Sequence, residues 1–413
     1  MPPVMKTPGV YIVEKNAFPN SIVEVATAVP AFVGYTQKAD NNGHTLSHKP
    51  WRITSLVEFH QYFGLGPTAA NVTRFNLRKA QGDATASLKI PLAARDAAPF
   101  TLGGTAYQFT QTQGGYLLYF SLLHFFQNGG GPCYIVSVGS YDAADGQHIE
   151  KEKLIDGILA LVREQKPTLL VVPDAVLLEH DDCIAVQKEA LRHCGKVMKN
   201  RIAILDIWQG YRDRHSAPDC VAAFRDAIGT DCLSYGAAYY PWLNTTVVAE
   251  AELNWTHIGP DSRDLLIQGI KAEFSSMNLP SAKLTEMSNI AEQIKSVNAE
   301  SPEVVASLAK TLSTISPFYK SIMAEMRKRL NLLPPSAAMA GIFTMVDNTR
   351  GVWKAPANVS LNGVVSACVP ISHEQQEDLN VTPQGKSINA IRDFVGEGVL
   401  VWGRFYSIDV HPQ

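Results

Sequence analysis

The residues best equipped for chemistry stand at Asp206, at His180-Asp181-Asp182-Cys183 with His193-Cys194 beyond it, and at His373-Glu374. Asp206 follows the apolar run Ile202-Ala203-Ile204-Leu205, just past a strand end, where α/β enzymes carry catalytic groups. The plainer reading is a loop aspartate making turn hydrogen bonds, and it is preferred. The His180 to Cys194 stretch holds ligand-type side chains, but a metal needs three or four of them converging in space. Asp181 and Asp182 read more simply as caps of the helix that follows. His373-Glu374 opens like a zinc-protease helix, yet the position one turn on is Glu377 and not a second histidine, so a solvated polar loop is expected. Gly129-Gly130-Gly131 invites a phosphate-loop reading. The order is reversed, however: these glycines follow a helical run and precede a strand, so they are expected to stop the helix. No nucleophile elbow, dinucleotide fingerprint or kinase set is present, and the chain is read as having no catalytic residue, cofactor or metal.

These groups depend on the elements around them. Ala31 to Tyr35 reads as a buried strand, and Thr54 to Phe63 as a capped helix. From Leu117 the chain alternates helix and apolar strand. Leu117 to Asn128 leads to Cys133 to Val138, a helix at Lys153 to Glu164 leads to Leu169 to Pro173, and Asp182 to Cys194 leads to Ile202 to Leu205. Ala237 to Trp242 closes the series. Strands so uniformly apolar are covered on both faces, which is the pattern of a parallel α/β sheet.

Two stretches break the pattern. Residues 66–115 alternate at Ala86 to Leu92 and at Ala106 to Thr110, with Pro99 and Gly103-Gly104 between, and read as a small β-rich insertion. Residues 254–333 carry three or four amphipathic helices, with Leu284, Met287, Ile290, Ile294 and Val297 on one face and Val305, Leu308, Leu312 and Ile315 on another. After Pro334-Pro335 short strands and Gly/Pro-rich turns are expected to the end. The small residues Ser336 to Gly341 and the block Asp347 to Asn358, with its Trp353, suggest tight packing. At the start, Thr7 to Glu14 reads as an extended strand with no hairpin partner; periodicity alone assigns it to its own domain.

Composition narrows the function classes. Of 413 residues, 46% are hydrophobic and 18% charged, sparser in charge than the roughly 25% of an average domain. A surface covered by partners and a large core would each produce that bias. A net charge of −3 provides no attraction toward nucleic acid or anionic lipid, so neither partner is expected. Met1 to Lys15 lacks a signal-peptide core, which points to folding in the cytosol and leaves the Asn-x-Ser/Thr matches, such as Asn244-Thr245-Thr246, to chance. The six cysteines form no CxxC pair and read as free thiols.

In order along the chain, several blocks resemble the tail-sheath family of contractile phages and extracellular contractile injection systems. They are Thr7 to Tyr11, Val29 to Thr36, Phe125 to Tyr134, Tyr239-Tyr240-Pro241-Trp242, Arg350 to Asn358 and Ile388 to Gly403. The resemblance implies an α/β fold: a mixed-sheet core from residues 27–65 and 334–413, an N-terminal linking arm at 1–26, the β-rich insertion at 66–115, an α/β domain at 116–253 and the helical insertion at 254–333. It implies a subunit that polymerises with its own kind in helical rings around an inner tube, meets baseplate and cap proteins, and contracts without nucleotide. The particle would assemble in the bacterial cytoplasm, with no direct membrane binding. Val10, Tyr11, Ile12 and Val13 would form the arm that links subunits, reversing the assignment to its own domain. Arg350, Gly351, Trp353, Lys354, Pro356, Asn358, Trp402 and Gly403 are the signature positions. Family members commonly continue into a tube-facing helix and a second linking strand, whereas this sequence stops at Gln413; it reads either as a shortened form or as a variant that links differently, and tube contact and polymerisation by this chain alone are left open. The alternatives are a specialised sheath paralogue or adaptor contacting baseplate or cap, and an α/β enzyme with a site near Asp206.

Overall fold

The computed structural model describes residues 27–70, 72–80, 100–141, 149–277, 279–296, 301–382, 385–394 and 396–402. The arm positions Val10 to Val13, the expected strand Ala86 to Leu92 and Gly403 lie outside them.

The run Pro30-Ala31-Phe32-Val33-Gly34-Tyr35-Thr36 has no polar face, and it becomes a strand buried along its length, β1 (Pro30–Thr36). A short hairpin follows, β2 (Asp40–Asn41) and β3 (His44–Thr45), then β4 (Trp51–Ile53) and helix α1 (Leu56–Phe63). Ser55 caps α1 by accepting from the Glu58 amide, while the Glu58 carboxylate accepts from Thr54 N at 2.6 Å. Next, β5 (Arg74–Lys79), β6 (Phe100–Leu102) and β7 (Thr105–Gln113) form an antiparallel sheet of order β5-β7-β6.

The alternating region follows as α2 (Leu118–Gln127), β8 (Cys133–Ser140), α3 (Lys151–Ala160), β9 (Leu169–Val171), α4 (His180–Arg192), β10 (Ile202–Asp206), α5 (Cys220–Ala227) and β11 (Gly236–Tyr240). Then come β12 (Leu243–Thr245) and four helices, α6 (Pro260–Ser276), α7 (Ser281–Ser296), α8 (Pro302–Ile315) and α9 (Pro317–Leu330). The last described part holds β13 (Leu332–Leu333), α10 (Ser336–Arg350), β14 (Val359–Ser360), β15 (Val364–Ala367), α11 (His373–Asn380), β16 (Asn389–Phe394) and β17 (Gly398–Trp402).

A nine-stranded sheet organises the molecule, in the order β14-β17-β16-β11-β10-β9-β1-β8-β4. Strands β8, β1, β9, β10, β11 and β16 run parallel, whereas β17 is antiparallel to β16, β14 to β17 and β4 to β8. Phe32 of β1 sits between Ile135 and Val171, fully buried. The chain runs from β1 outward to β8, then crosses back to β9 on the other flank. The crevice at the carboxyl end of β1 is thus a topological switch point, the place where open α/β sheets bind ligands.

Two expectations are corrected. The stretch after Pro334-Pro335 reaches its expected short strands only after the fifteen-residue helix α10, buried from Ser336 to Thr344. Its alanines are strong helix formers, and its small residues, Gly341 above all, let the helix lie close against α2. His373 does not open a loop. Ser372 and Gln375 form a reciprocal capping box, with Gln375 N donating to Ser372 Oγ at 3.2 Å and Ser372 N to Gln375 Oε1 at 2.9 Å, and helix α11 starts there.

The small β5-β7-β6 sheet and the helices α6 to α9, read separately from the sequence, pack onto each other. Leu77 N donates to Ser262 Oγ at 2.9 Å, and Gly259 N to Phe75 O at 2.8 Å. The Phe318 and Tyr107 rings meet at 5.6 Å, and the Arg329 guanidinium lies over Phe100 and Phe109, 5.3 Å from each ring.

Candidate assembly surface

The strand ends where an enzyme would keep its chemistry are filled by the protein's own carboxylates. Asp206 is the last residue of β10 and is buried, so it is not the loop aspartate expected. Its Oδ1 accepts from Ser336 N at 2.9 Å and its Oδ2 from Ser336 Oγ at 2.5 Å, closing the amino end of α10; its carbonyl accepts from Gln187 Nε2 at 2.6 Å. Burial pushes the carboxyl up to about 7, against the pull of the Ser336 bonds. The cavity beside it, touched by Val172, Val186 and Gln187, measures about 10 Å³, the space of one water. No substrate fits there.

At the switch point the same device recurs. Asp174, fully buried, accepts from Tyr35 N at 2.8 Å, Leu117 N at 2.7 Å and Leu118 N at 3.2 Å, so it caps α2 and ties that helix to β1. Burial raises its carboxyl to about 6, and the three amide donors hold it lower than burial alone would. Around it stack Tyr35 and Tyr116, with ring centroids at 5.4 Å, and Tyr116 and Tyr141 at 4.8 Å. The crevice is core. Asp174 was not singled out from the sequence, although a signal exists: Tyr116-Leu117 offers α2 no capping side chain, so the cap had to come from elsewhere.

The other chemical candidates disperse. His180 and His193 stand at opposite ends of α4, thirteen positions apart, which is about 20 Å of helix. His180 Nδ1 lies 2.9 Å from Asp181 Oδ1, and its ring meets Trp208 edge-on at 5.3 Å. His193 is buried against Arg201, and burial pushes its imidazole down to about 4; Cys183 and Cys194 are buried, with their thiols raised. Asp181 and Asp182 sit inside the first turn of α4 without capping it, and Asp182 pairs with Lys151 Nζ at 2.7 Å. Among the described residues no group of three or more His, Cys, Asp or Glu side chains is placed to hold a metal. His373 and Glu377 face each other at 3.4 Å on the exposed side of α11. Gly129 stops α2: it takes φ 85°, and its amide donates to Phe126 O at 3.3 Å. The six cysteines are free thiols.

The described signature positions lie on the stretch between α10 and β14 and at the end of β17. Helix α10 ends at Arg350, and Gly351, at φ 86°, turns the chain out of it. Val352 is 59% exposed and Trp353 85% exposed, so the tryptophan expected in tight packing stands in solvent instead. Lys354 is exposed and Pro356 buried. Asn358, at φ 55°, donates its amide to Val401 O at 2.8 Å just before β14, the outermost strand beside β17. Trp402 closes β17, its ring 5.6 Å from Phe394. Thr27, the first described residue, donates its hydroxyl to Asp347 Oδ2 at 2.8 Å on the last turns of α10. Thr27 and the carboxyl end of α10 therefore lie at the amino-terminal ends of the parallel strands, with the exposed tryptophan a few residues further along the chain. No described helix is long and apolar enough to cross a membrane.

No protein-family model and no curated protein matches the chain. Solved structures do. A polypeptide of the anti-feeding prophage (AFP) baseplate in its contracted state is 19% identical, with 97% of this chain and 69% of that one covered at a TM-score of 0.50. The AFP helical sheath in its contracted state is 22% identical over 98% of this chain and 70% of that one, at 0.44. The contracted sheath complex of PVC, an extracellular contractile injection system, is 21% identical over 97% and 66%, at 0.45. The likeness to the AFP baseplate polypeptide shows that the two chains share a fold, which is where the resemblance read from the sequence is met.

Proposed function

We propose that this chain, which has the fold of a contractile-particle polypeptide, is a structural subunit of a contractile sheath: copies stack in helical rings around an inner tube, and the stack shortens to drive the tube through a target envelope. The observation that carries the reading is the fold shared over 97% of the chain with the contracted AFP baseplate polypeptide. Such a role asks for surfaces and not for a catalytic centre. In keeping with that, the carboxylates at the strand ends are spent on holding helices α2 and α10.

In physical terms, a contact between unlike surfaces that does not close into a ring builds a filament. An arm strand added to a neighbour's sheet edge supplies main-chain hydrogen bonds yet leaves a tether about which subunits can rotate. The arm is assigned to Val10 to Val13, and the signature residues Arg350 to Asn358 with Trp402 and Gly403 to the outer edge of the sheet. Helices α6 to α9 are read as decoration on the outside of the particle, with the tube, baseplate and cap as further partners. Assembly is placed in the bacterial cytoplasm. Electron microscopy of the full-length chain co-expressed with a tube protein is expected to show striated cylinders; monomers under every condition would sink the reading.

A second reading, an adaptor at the baseplate, is favoured by the baseplate origin of the AFP match. It predicts single rings in place of cylinders in the same micrographs.

A further inference from the structure

Two of the free thiols, Cys194 and Cys232, stand on segments that press together through glycines. Leu191, Cys194 and Gly195 share one face at the end of α4, since residues three and four apart on a helix are neighbours. That face meets residues 231–236, the stretch that leads into β11. A Cβ on Gly236 would lie 2.5 Å from Leu191 Cδ2, and one on Gly195 would lie 2.7 Å from Cys232 Cβ and 2.8 Å from its Sγ. Lys196 Nζ pairs with Asp231 Oδ2 at 2.8 Å. The three contacts set one antiparallel register, 191 with 236, 195 with 232 and 196 with 231. Cys194 and Cys232 are a single step out of alignment in it.

That step brings the thiols within bonding range. With a Cβ on Gly195 so near that of Cys232, the two Cα atoms are no more than about 6 Å apart, and the ~3.8 Å step to Cys194, taken across that line, puts its Cα about 6–7 Å from that of Cys232. Disulfides span roughly 4.4–6.8 Å between Cα atoms. The backbone departs from regular geometry at both cysteines. Lys199 N donates to Cys194 O at 2.8 Å, five positions back, so α4 ends in one widened turn, and Cys232 takes φ 56°, the left-handed region rare for a residue with a side chain. Their exposure differs. Cys194 is fully buried, whereas Cys232 is partly open to solvent, so an oxidant reaches Cys232 first. Burial raises the Cys194 thiol to about 12, Arg201 pulls against that rise, and Cys232 adds to it.

We propose that Cys194 and Cys232 form a redox site that closes into a disulfide when the protein meets a small disulfide oxidant such as oxidised glutathione. The Cys232 thiolate attacks one sulfur of the oxidant and expels one glutathione thiolate, leaving a mixed disulfide. Cys194 then attacks the Cys232 sulfur and expels the second glutathione. The two protein thiols are oxidised, the oxidant is reduced to two thiols, and the expelled thiolates take up the two protons. The new bond ties the end of α4 to the stretch before β11 and closes residues 194–232, with β10 and α5 among them, into a loop that restricts the unfolded chain. The site is independent of the assembly role.

The test exposes the folded full-length chain to oxidised glutathione, blocks the remaining thiols with iodoacetamide and digests it with trypsin in the absence of reductant. The expected product joins the peptide His193 to Lys196 to the peptide Asp226 to Arg263, with two of the six thiols lost to the reagent. Six thiols still reactive, a protein that stops with glutathione on Cys232, or a product that joins His215 to Arg225 and Ala355 to Lys386 through Cys220 and Cys368 in its place would each overturn the proposal. The oxidised parent is also expected to unfold at least about 3 °C above the reduced one, with no such difference in Cys232→Ser. A shift of the same size in Cys232→Ser would place the effect at other residues and refute the lock.

Discussion

Asp206 and Ser336 are 130 positions apart in the chain and bonded twice, through Ser336 N to Oδ1 at 2.9 Å and through Ser336 Oγ to Oδ2 at 2.5 Å. The pair fastens the amino end of α10 to the carboxyl end of β10. It also explains how a buried carboxylate can lie at an enzyme-like position without being a site: both oxygens are in use.

Asp206→Asn is expected to stabilise the protein at neutral and alkaline pH. The amide keeps an oxygen for Ser336 N and offers an N–H to Ser336 Oγ, which can accept as well as donate. Burial raises the Asp206 carboxyl to about 7, above its unfolded value, so its contribution is fully present below about pH 4 and lost as pH rises through 7. The variant removes that loss. Unfolding by denaturant at pH 8 should show a gain of about 2–4 kcal/mol, shrinking toward zero near pH 4; a gain independent of pH would contradict the argument.

Asp174→Asn should do the opposite. Here every partner is a backbone N–H, from Tyr35, Leu117 and Leu118, so an amide NH₂ must face a donor on one side. A loss of about 1–3 kcal/mol is expected, the cost of leaving a buried donor unpaired. Faster hydrogen exchange at the first turn of α2 would accompany it, and a neutral outcome would count against the capping role.

Arg225 closes the carboxyl end of α11. Its Nη2 donates to Asp378 O at 2.8 Å and Leu379 O at 3.1 Å, and its Nε to Lys386 O at 3.2 Å. A lysine cannot make this fork. Arg225→Lys is therefore expected to cost about 1–2 kcal/mol and to speed hydrogen exchange in His373–Asn380, with the core strands unchanged; uniform protection across α11 would argue that the fork is dispensable.

Removing residues 1–14 should leave thermal unfolding unchanged to within a few degrees. The described core is anchored from Thr27 onward, where the first strand follows at Pro30. Under the sheath reading the same truncation prevents ring-to-ring linkage in micrographs. A truncated chain that does not fold would place the segment in its own core.

Much of the fold was legible because its signals are local. Apolar runs such as Leu169 to Val171, the Gly129 stop and the amphipathic faces of α7 to α9 each act over a few residues. Helix α10 was missed because Ala337-Ala338-Met339-Ala340-Gly341 has no polar face to set a period: a helix buried nearly all round shows no amphipathic stripe. Helix α11 was missed for a different reason. Its Ser372 to Gln375 capping box is present in the sequence but was outweighed by the polar run that follows.

By itself the sequence determined the alternation of helix and strand and the breaks between them, since each is a matter of residue type and short spacing. Only the tertiary structure decided that Asp174 and Asp206 are helix clamps, because their partners lie 57 and 130 positions away along the chain. It also decided that Trp242 and Trp255 lie in the core while Trp353 stands in solvent. A tryptophan's side chain is the same in either place. Whether it is covered depends on which distant surfaces fold against it, and at Trp353 none of the described chain does.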